Sequence, residues 1–286
     1  MRKAMLSSPS LAPEIVGLLA RKELHDALRN RWFMLYTLVF TLLTLVLSWM
    51  GLASGQRYGL VGFGRTTASL INLVMLVVPL MGLTLGALSL AIEREQGTLL
   101  YVLAQPITAA EVLLGKLLGL AMALTATLSI GFGLSGLLLA WQGSTVGVGA
   151  FIGLLGLSIL LSIFSLSLGL LFSGALPRTA AALGSALFAW LLLVFLGDLG
   201  LLGSVLVLHM PIEQLFVLSL LNPLQVFKFT AILLLQGDLQ VLGPAGQYAM
   251  HTYGWHLLPL SIGLLGLWAF LPLLPAYLFF RQRGAL

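Results

Sequence analysis

The sequence predicts an all-α integral membrane protein, six transmembrane helices behind an N-terminal amphipathic helix. Two observations carry this. Of the 286 residues 59% are hydrophobic and only 8% charged, with a mean hydropathy of +1.08, against about 25% charged in an ordinary soluble domain. The apolar residues also fall into runs of about 20, the length needed to cross roughly 30 Å of hydrocarbon. The chain has no cysteine, which excludes disulfides and thiolate metal sites within it. Its net charge of +5 comes from basic residues scattered at segment ends rather than clustered on one face. Nucleic acid is therefore not an expected partner, and the lipid bilayer is.

The N-terminal unit, residues 1–31, has no apolar run near its start and so does not read as a cleavable signal peptide. Ser7 to Ser10 and Pro13 are turn and helix-start residues. Beyond them Ile15, Leu18, Leu19, Leu24 and Leu28 recur at near-helical spacing against Arg21, Lys22, Glu23, Asp26, Arg29 and Arg31, a pattern suited to a helix lying in the headgroup plane. A solvated tail is the alternative, and His25 reads as a surface residue.

The second unit, residues 32–286, holds six expected spans near 32–52, 69–92, 113–140, 151–172, 179–197 and 257–280. No charged residue occurs between Lys116 and Arg178. The third and fourth spans are therefore joined only by the glycine-rich turn 141–145. With the N-terminus inside, Arg2, Lys3, Arg21, Lys22, Arg29, Arg31, Arg94, Lys116, Arg178, Arg281 and Arg283 are cytoplasmic, against Arg57, Arg65 and Lys228 outside. The positive-inside rule then places both termini in the cytoplasm.

No acidic, basic or histidine side chain lies near the middle of any span, which disfavours ion-coupled transport and a catalytic site in the membrane. Small residues at four-residue spacing (Gly82/Gly86, Gly115/Gly119, Gly149/Gly153, Ser158/Ser162, Ser165/Gly169/Ser173) let helices approach closely. They suit either ordinary packing or a path at a subunit interface. The chain also lacks a phosphate cradle: Gly115-Lys116 is followed by Leu117, and Ala110 stands where the first glycine of that motif belongs. No cofactor is expected in this chain, which reads as a non-catalytic subunit driven from elsewhere.

The stretch from Glu93 to Lys116 holds three of the nine acidic residues, Glu93, Glu95 and Glu111. Gly97 suits the left-handed residue that ends a helix. Thr98 and Leu99 begin a short helix that Pro106 stops. Thr108 and Glu111 have capping-box spacing at the start of the third span. The predicted product is a small surface helix rimmed by Glu93, Arg94, Glu95 and Gln105, groups able to contact another protein.

Residues Glu93-Arg94-Glu95-Gln96-Gly97-Thr98-Leu99-Leu100, with Gln105-Pro106-Ile107-Thr108 and Leu114-Gly115-Lys116, resemble the signature of ABC-2-type transporter permeases. Ala20 to Leu24 and Arg31 to Phe33 are similar to the family's N-terminal elbow helix, and Leu220 to Leu224 to a segment of its fifth-to-sixth loop. The resemblance implies a type V exporter-like architecture. It makes residues 93–112 a coupling loop in which Glu93, Arg94, Glu95, Gln96, Gly97, Thr98, Leu99, Gln105 and Pro106 meet a separate ATPase subunit, with Pro177 and Arg178 a second contact. ATP and Mg would be bound by that partner. Within the family the chain is most similar to permeases of nitrous oxide reductase maturation. That implies a homodimer, a NosF-like cytoplasmic ATPase, a NosD-like periplasmic protein and a bacterial inner-membrane location.

The expected periplasmic segment, residues 198–256, is too apolar to be a free loop. We expect helices at 199–208, 214–221 and 226–235, at or just inside the outer interface. His209, Met210, Met250, His251 and His256 lie in it or at its end, and imidazole and thioether suit copper. Interfacial residues without metal are the alternative. Two functions from different classes follow: a permease driven by ATP, moving cargo or acting on a periplasmic partner, and a scaffold that only anchors a maturation complex. An exporter of lipid or small molecules would share the fold.

Overall fold

The computed structural model describes residues 12–58, 60–141, 148–206, 211–236 and 244–283, the side chains within some helical stretches excepted. Every regular element among them is helical: α1 (Pro13–Arg29), α2 (Arg31–Tyr58), α3 (Leu60–Glu95), α4 (Thr98–Leu103), α5 (Ala109–Trp141), α6 (Val148–Ala175), α7 (Thr179–Leu206), α8 (Ile212–Leu220), α9 (Pro223–Gln236), α10 (Pro244–Tyr253), a 3-10 turn (Gly254–His256), α11 (Leu257–Phe270) and α12 (Leu273–Arg283). Among the described residues six stretches are long and apolar enough to cross a bilayer: Arg31–Gly51, Ala68–Glu95, Ala109–Leu138, Phe151–Ala175, Thr179–Gly197 and Gly246–Gln282.

The central pair is α3 and α6, with 61% of each apolar window buried against 22% for α2 and 17% for α7. Small residues bring their backbones together. A Cβ placed on Gly86 would stand 2.6 Å from the Leu166 carbonyl oxygen, and one on Gly169 2.6 Å from that of Leu83. Lipid tails are as apolar as leucine, so such close van der Waals contact is a main source of helix association in a membrane. Gly115 and Gly119 seat α1 on α5 in the same way, a Cβ on Gly119 falling 2.5 Å from the Ala20 carbonyl. These paired small residues thus pack helices within one chain. α5 and α2 flank one side of the central pair, α7 the other, and α9, α11 and α12 close over α6.

The helix boundaries add detail to the expected segments at four places. Residues 53–58 and 60–68, between the first two expected spans, are helical as the ends of α2 and α3. Of the expected helix 199–208, the described part, 199–206, is no separate helix: α7 continues through Gly197, Gly200 and Gly203 to Leu206, since glycine is tolerated in an apolar helix. The stretch 226–235 is helical within α9 and packed among other helices. α9 turns by 106° from α8 and packs against α6 and α11, burying Leu224, Val226, Phe227 and Ala231. The backbone ends freed by that bend are satisfied, as an apolar setting requires. Trp268 Nε1 donates to the Leu220 carbonyl at 3.2 Å, Asn222 Oδ1 accepts from the Leu224 N–H at 2.9 Å, and Pro223 opens α9 where no N–H is needed. Finally, the last expected span, 257–280, falls within the candidate span Gly246–Gln282, with a two-residue turn at Leu271 and Pro272 between α11 and α12. The expected turn at 141–145 lies outside the described residues beyond Trp141.

Candidate functional site at the charged end of the bundle

α3 delivers three consecutive charged residues to one end of the bundle and then stops. Gly97, at φ 72°, makes the left-handed turn that a Cβ-bearing residue adopts only with strain. Thr98 Oγ1 donates back to the Glu93 carbonyl at 3.1 Å and opens α4. Leu99 is buried beneath α4, while Tyr101 stands 78% exposed. Gln96, Thr98, Gln105 and Pro106 are exposed on the same loop.

The capping box that follows does double duty. Glu111 Oε2 accepts from the Thr108 N–H at 2.7 Å and its hydroxyl at 2.9 Å, and Thr108 Oγ1 accepts from the Glu111 N–H at 3.2 Å. Its other oxygen, Oε1, accepts from the N–H of Ala12, the residue before α1, at 2.8 Å. One carboxylate therefore serves the N-termini of α5 and α1, where helix dipoles favour negative charge.

Lys116, buried in the second turn of α5, reaches α1 and α3 at once. Its Nζ lies 2.8 Å from Glu23 Oε1, 2.9 Å from Glu93 Oε1 and 3.3 Å from the Ser89 carbonyl. Lys22 adds longer approaches to the same two carboxylates, 4.0 Å to Glu23 and 3.6 Å to Glu93. Such a cation in an apolar span is tolerated because it is paired and hydrogen-bonded.

Arg94 and Glu95 point the other way, at the turn between α6 and α7. Arg94 Nη1 donates to the carbonyls of Ser173 (3.1 Å) and Leu176 (2.7 Å) at the end of α6. Glu95 Oε1 accepts from the Thr179 N–H at 2.7 Å, at the start of α7. A cation at a helix C-terminus and a carboxylate at an N-terminus both complement the macrodipole. Ser173 Oγ completes the seam by accepting from the N–H groups of Leu90 and Ala91 at 3.0 and 2.9 Å. The last turn of α3 is thereby fastened to α1, α5, α6 and α7.

Of the sequence-selected residues, Glu93, Arg94 and Glu95 are engaged inside the chain. Gln96, Thr98, Gln105 and Pro106 face out, as do Pro177 and Arg178 on the adjoining α6–α7 turn. Sequence reasoning missed the roles of Lys116, Glu23 and Ser173. A lone lysine a few residues inside an apolar span was the signal for the first, since such a charge needs partners. Of the candidate metal ligands, His251 and His256 are exposed, Met250 is half-buried in α10, and His209 and Met210 lie outside the described residues. Among the described residues no three His, Asp or Glu side chains gather into a metal-holding group.

The described residues thus form a multi-span helical bundle whose α3 is cross-braced by charged contacts at one end, beside the short surface helix α4. The family model for ABC-2 family transporter proteins matches residues 18–284, and the chain belongs to that family. Over 275 residues it is 32% identical to a probable ABC transporter permease protein NosY of Stutzerimonas stutzeri, covering 93% of this chain and 97% of that one. Over 221 residues it is 37% identical to a protein of the same description from Pseudomonas aeruginosa, covering 75% of this chain and 80% of the relative. It is a membrane permease of an ABC transporter.

Proposed function

We propose that α4 is the surface on which a separate cytoplasmic ATPase docks, and that the charged seam beneath it carries the motion into the membrane. The observation behind this reading is a division of labour along one loop. Tyr101, Gln105 and Pro106 are exposed, while Glu93, Arg94 and Glu95 bind α5, α1, α6 and α7. A push on α4 would then reach four helices through short charge-assisted contacts, which resist deformation more than apolar sliding does. ATP and Mg belong to the partner. Pro177 and Arg178, on the turn held by Arg94 and Glu95, form its second contact.

The likeness to permeases named NosY supports a place in nitrous oxide reductase maturation. There this chain works in the inner membrane as a homodimer, termini inside, with a NosF-like ATPase and a NosD-like periplasmic protein, in delivery of copper or by mechanical action on that partner. The cognate ATPase, co-expressed with this chain, tests the docking step. Tyr101→Ala, at an exposed position, leaves the fold intact and lowers retention of the ATPase by about tenfold, the effect of losing one aromatic anchor. Full retention and full stimulation of ATP hydrolysis by Tyr101→Ala and Gln105→Ala together would refute α4 as the docking surface. Retention without any stimulation by the unaltered chain would favour the scaffold.

A further inference from the structure

A second feature, independent of the coupling reading, lies on the flank of the bundle. Between the start of α5 and the α11–α12 pair runs a groove of about 710 Å³. Ala110 and Leu114 form one wall, Leu267 and Tyr277 the other, and every lining residue is apolar except for the Tyr277 hydroxyl. Two glycines, Gly263 and Gly266, form part of its lining, and a Cβ built on either would meet no heavy atom within 4 Å. The absent side chains of Gly263 and Gly266 leave the concavity open, and no helix among the described residues fills it.

Its position and length select an occupant. Ala110 and Leu114 belong to the same turns of α5 as Glu111 and Lys116, so the groove opens at the charged end of the bundle. From Tyr277 to Gly263 the chain spans about 20 Å at 1.5 Å per residue, somewhat more than the roughly 15 Å depth of one leaflet's hydrocarbon. Arg281 follows Tyr277 by four residues on α12 and is exposed, which puts a cation on the same helix face at the groove mouth. A second copy of the chain is a poor fit there. A two-fold contact is self-complementary and would bring this cationic mouth against its own copy. An apolar slot ending in a cation at headgroup level matches one amphiphile with the opposite charge at its head.

We propose that this groove binds an anionic phospholipid, one acyl chain lying along Gly263 and Gly266 and the phosphate paired with Arg281. The full-length chain, purified and exchanged into mixtures of phosphatidylglycerol and phosphatidylcholine, is examined by native mass spectrometry. The unaltered protein retains phosphatidylglycerol in preference, and Arg281→Gln reduces that preference roughly fivefold, the effect of one basic residue at an anionic surface. Gly263→Leu with Gly266→Leu, at positions where an added Cβ meets no heavy atom within 4 Å, puts side chains into the slot and lowers retention of both lipids. Thermal unfolding of each variant within a few degrees of the unaltered protein, the expected result, shows that the fold survives. Unchanged lipid retention in the filled variant, or an unchanged preference in Arg281→Gln, would overturn the proposal. So would efficient homodimer cross-linking through Gly266→Cys, a clean probe because the chain has no other cysteine.

Discussion

Replacing Lys116 by methionine tests whether the charged seam holds α1 to the bundle. The ammonium lies 2.8 and 2.9 Å from the carboxylates of Glu23 and Glu93. At an effective dielectric constant of 20 each contact carries a gross attraction of about 6 kcal/mol. Desolvation of three ions offsets most of that, and removing one partner of such a buried set costs about 3–5 kcal/mol because the remaining charges are left uncompensated. Lys22, 52% exposed and at 3.6 and 4.0 Å, still screens the two carboxylates in the variant, so the lower end applies. About 3 kcal/mol is a factor of roughly 150 in an equilibrium constant. Hydrogen exchange of the amides in α1 should accelerate by about two orders of magnitude in Lys116→Met, with α9 and the centre of α6 unaffected. Adding Glu23→Gln should recover part of the protection, since removing the pair together leaves less uncompensated charge. Exchange in α1 within threefold of the unaltered protein would show that the Gly115 and Gly119 contacts hold α1 without the ions.

Further substitutions probe the frame. Gly86→Leu and Gly169→Leu each force a side chain into a neighbouring backbone carbonyl, an overpacking worth about 1–3 kcal/mol or more; both should unfold at lower temperature in detergent, whereas Gly184→Leu, with open space around it, should not. Arg94→Ala removes both hydrogen bonds to the end of α6 and should cost about 1.5–3 kcal/mol, read as faster exchange at residues 173–182; Arg94→Lys, which lacks the guanidinium fork, should recover only part of it.

Composition and the length of the apolar runs settle the solvent and the segmentation. Hydrocarbon runs of about 20 residues leave no other fold class, and the local devices between them, Gly97, Pro106 and the Thr108–Glu111 box, act through backbone geometry within a few residues, so each was legible where it stands. The repeats of small residues announced close helix contacts without naming the partners. Glu93, Arg94 and Glu95 show the limit most clearly. As sequence they are exposed charges free to meet another protein. Their partners, Lys116, Ser173, Leu176 and Thr179, are 23 to 84 residues away, a separation that no local pattern encodes. Only the tertiary structure decided that these charges brace the bundle from within and leave Tyr101 and Gln105 facing out. It alone also carried α9 into the interior, because an apolar segment of 14 residues reads alike as an interfacial helix or a buried one until Trp268 and Asn222 supply the hydrogen bonds at its bend.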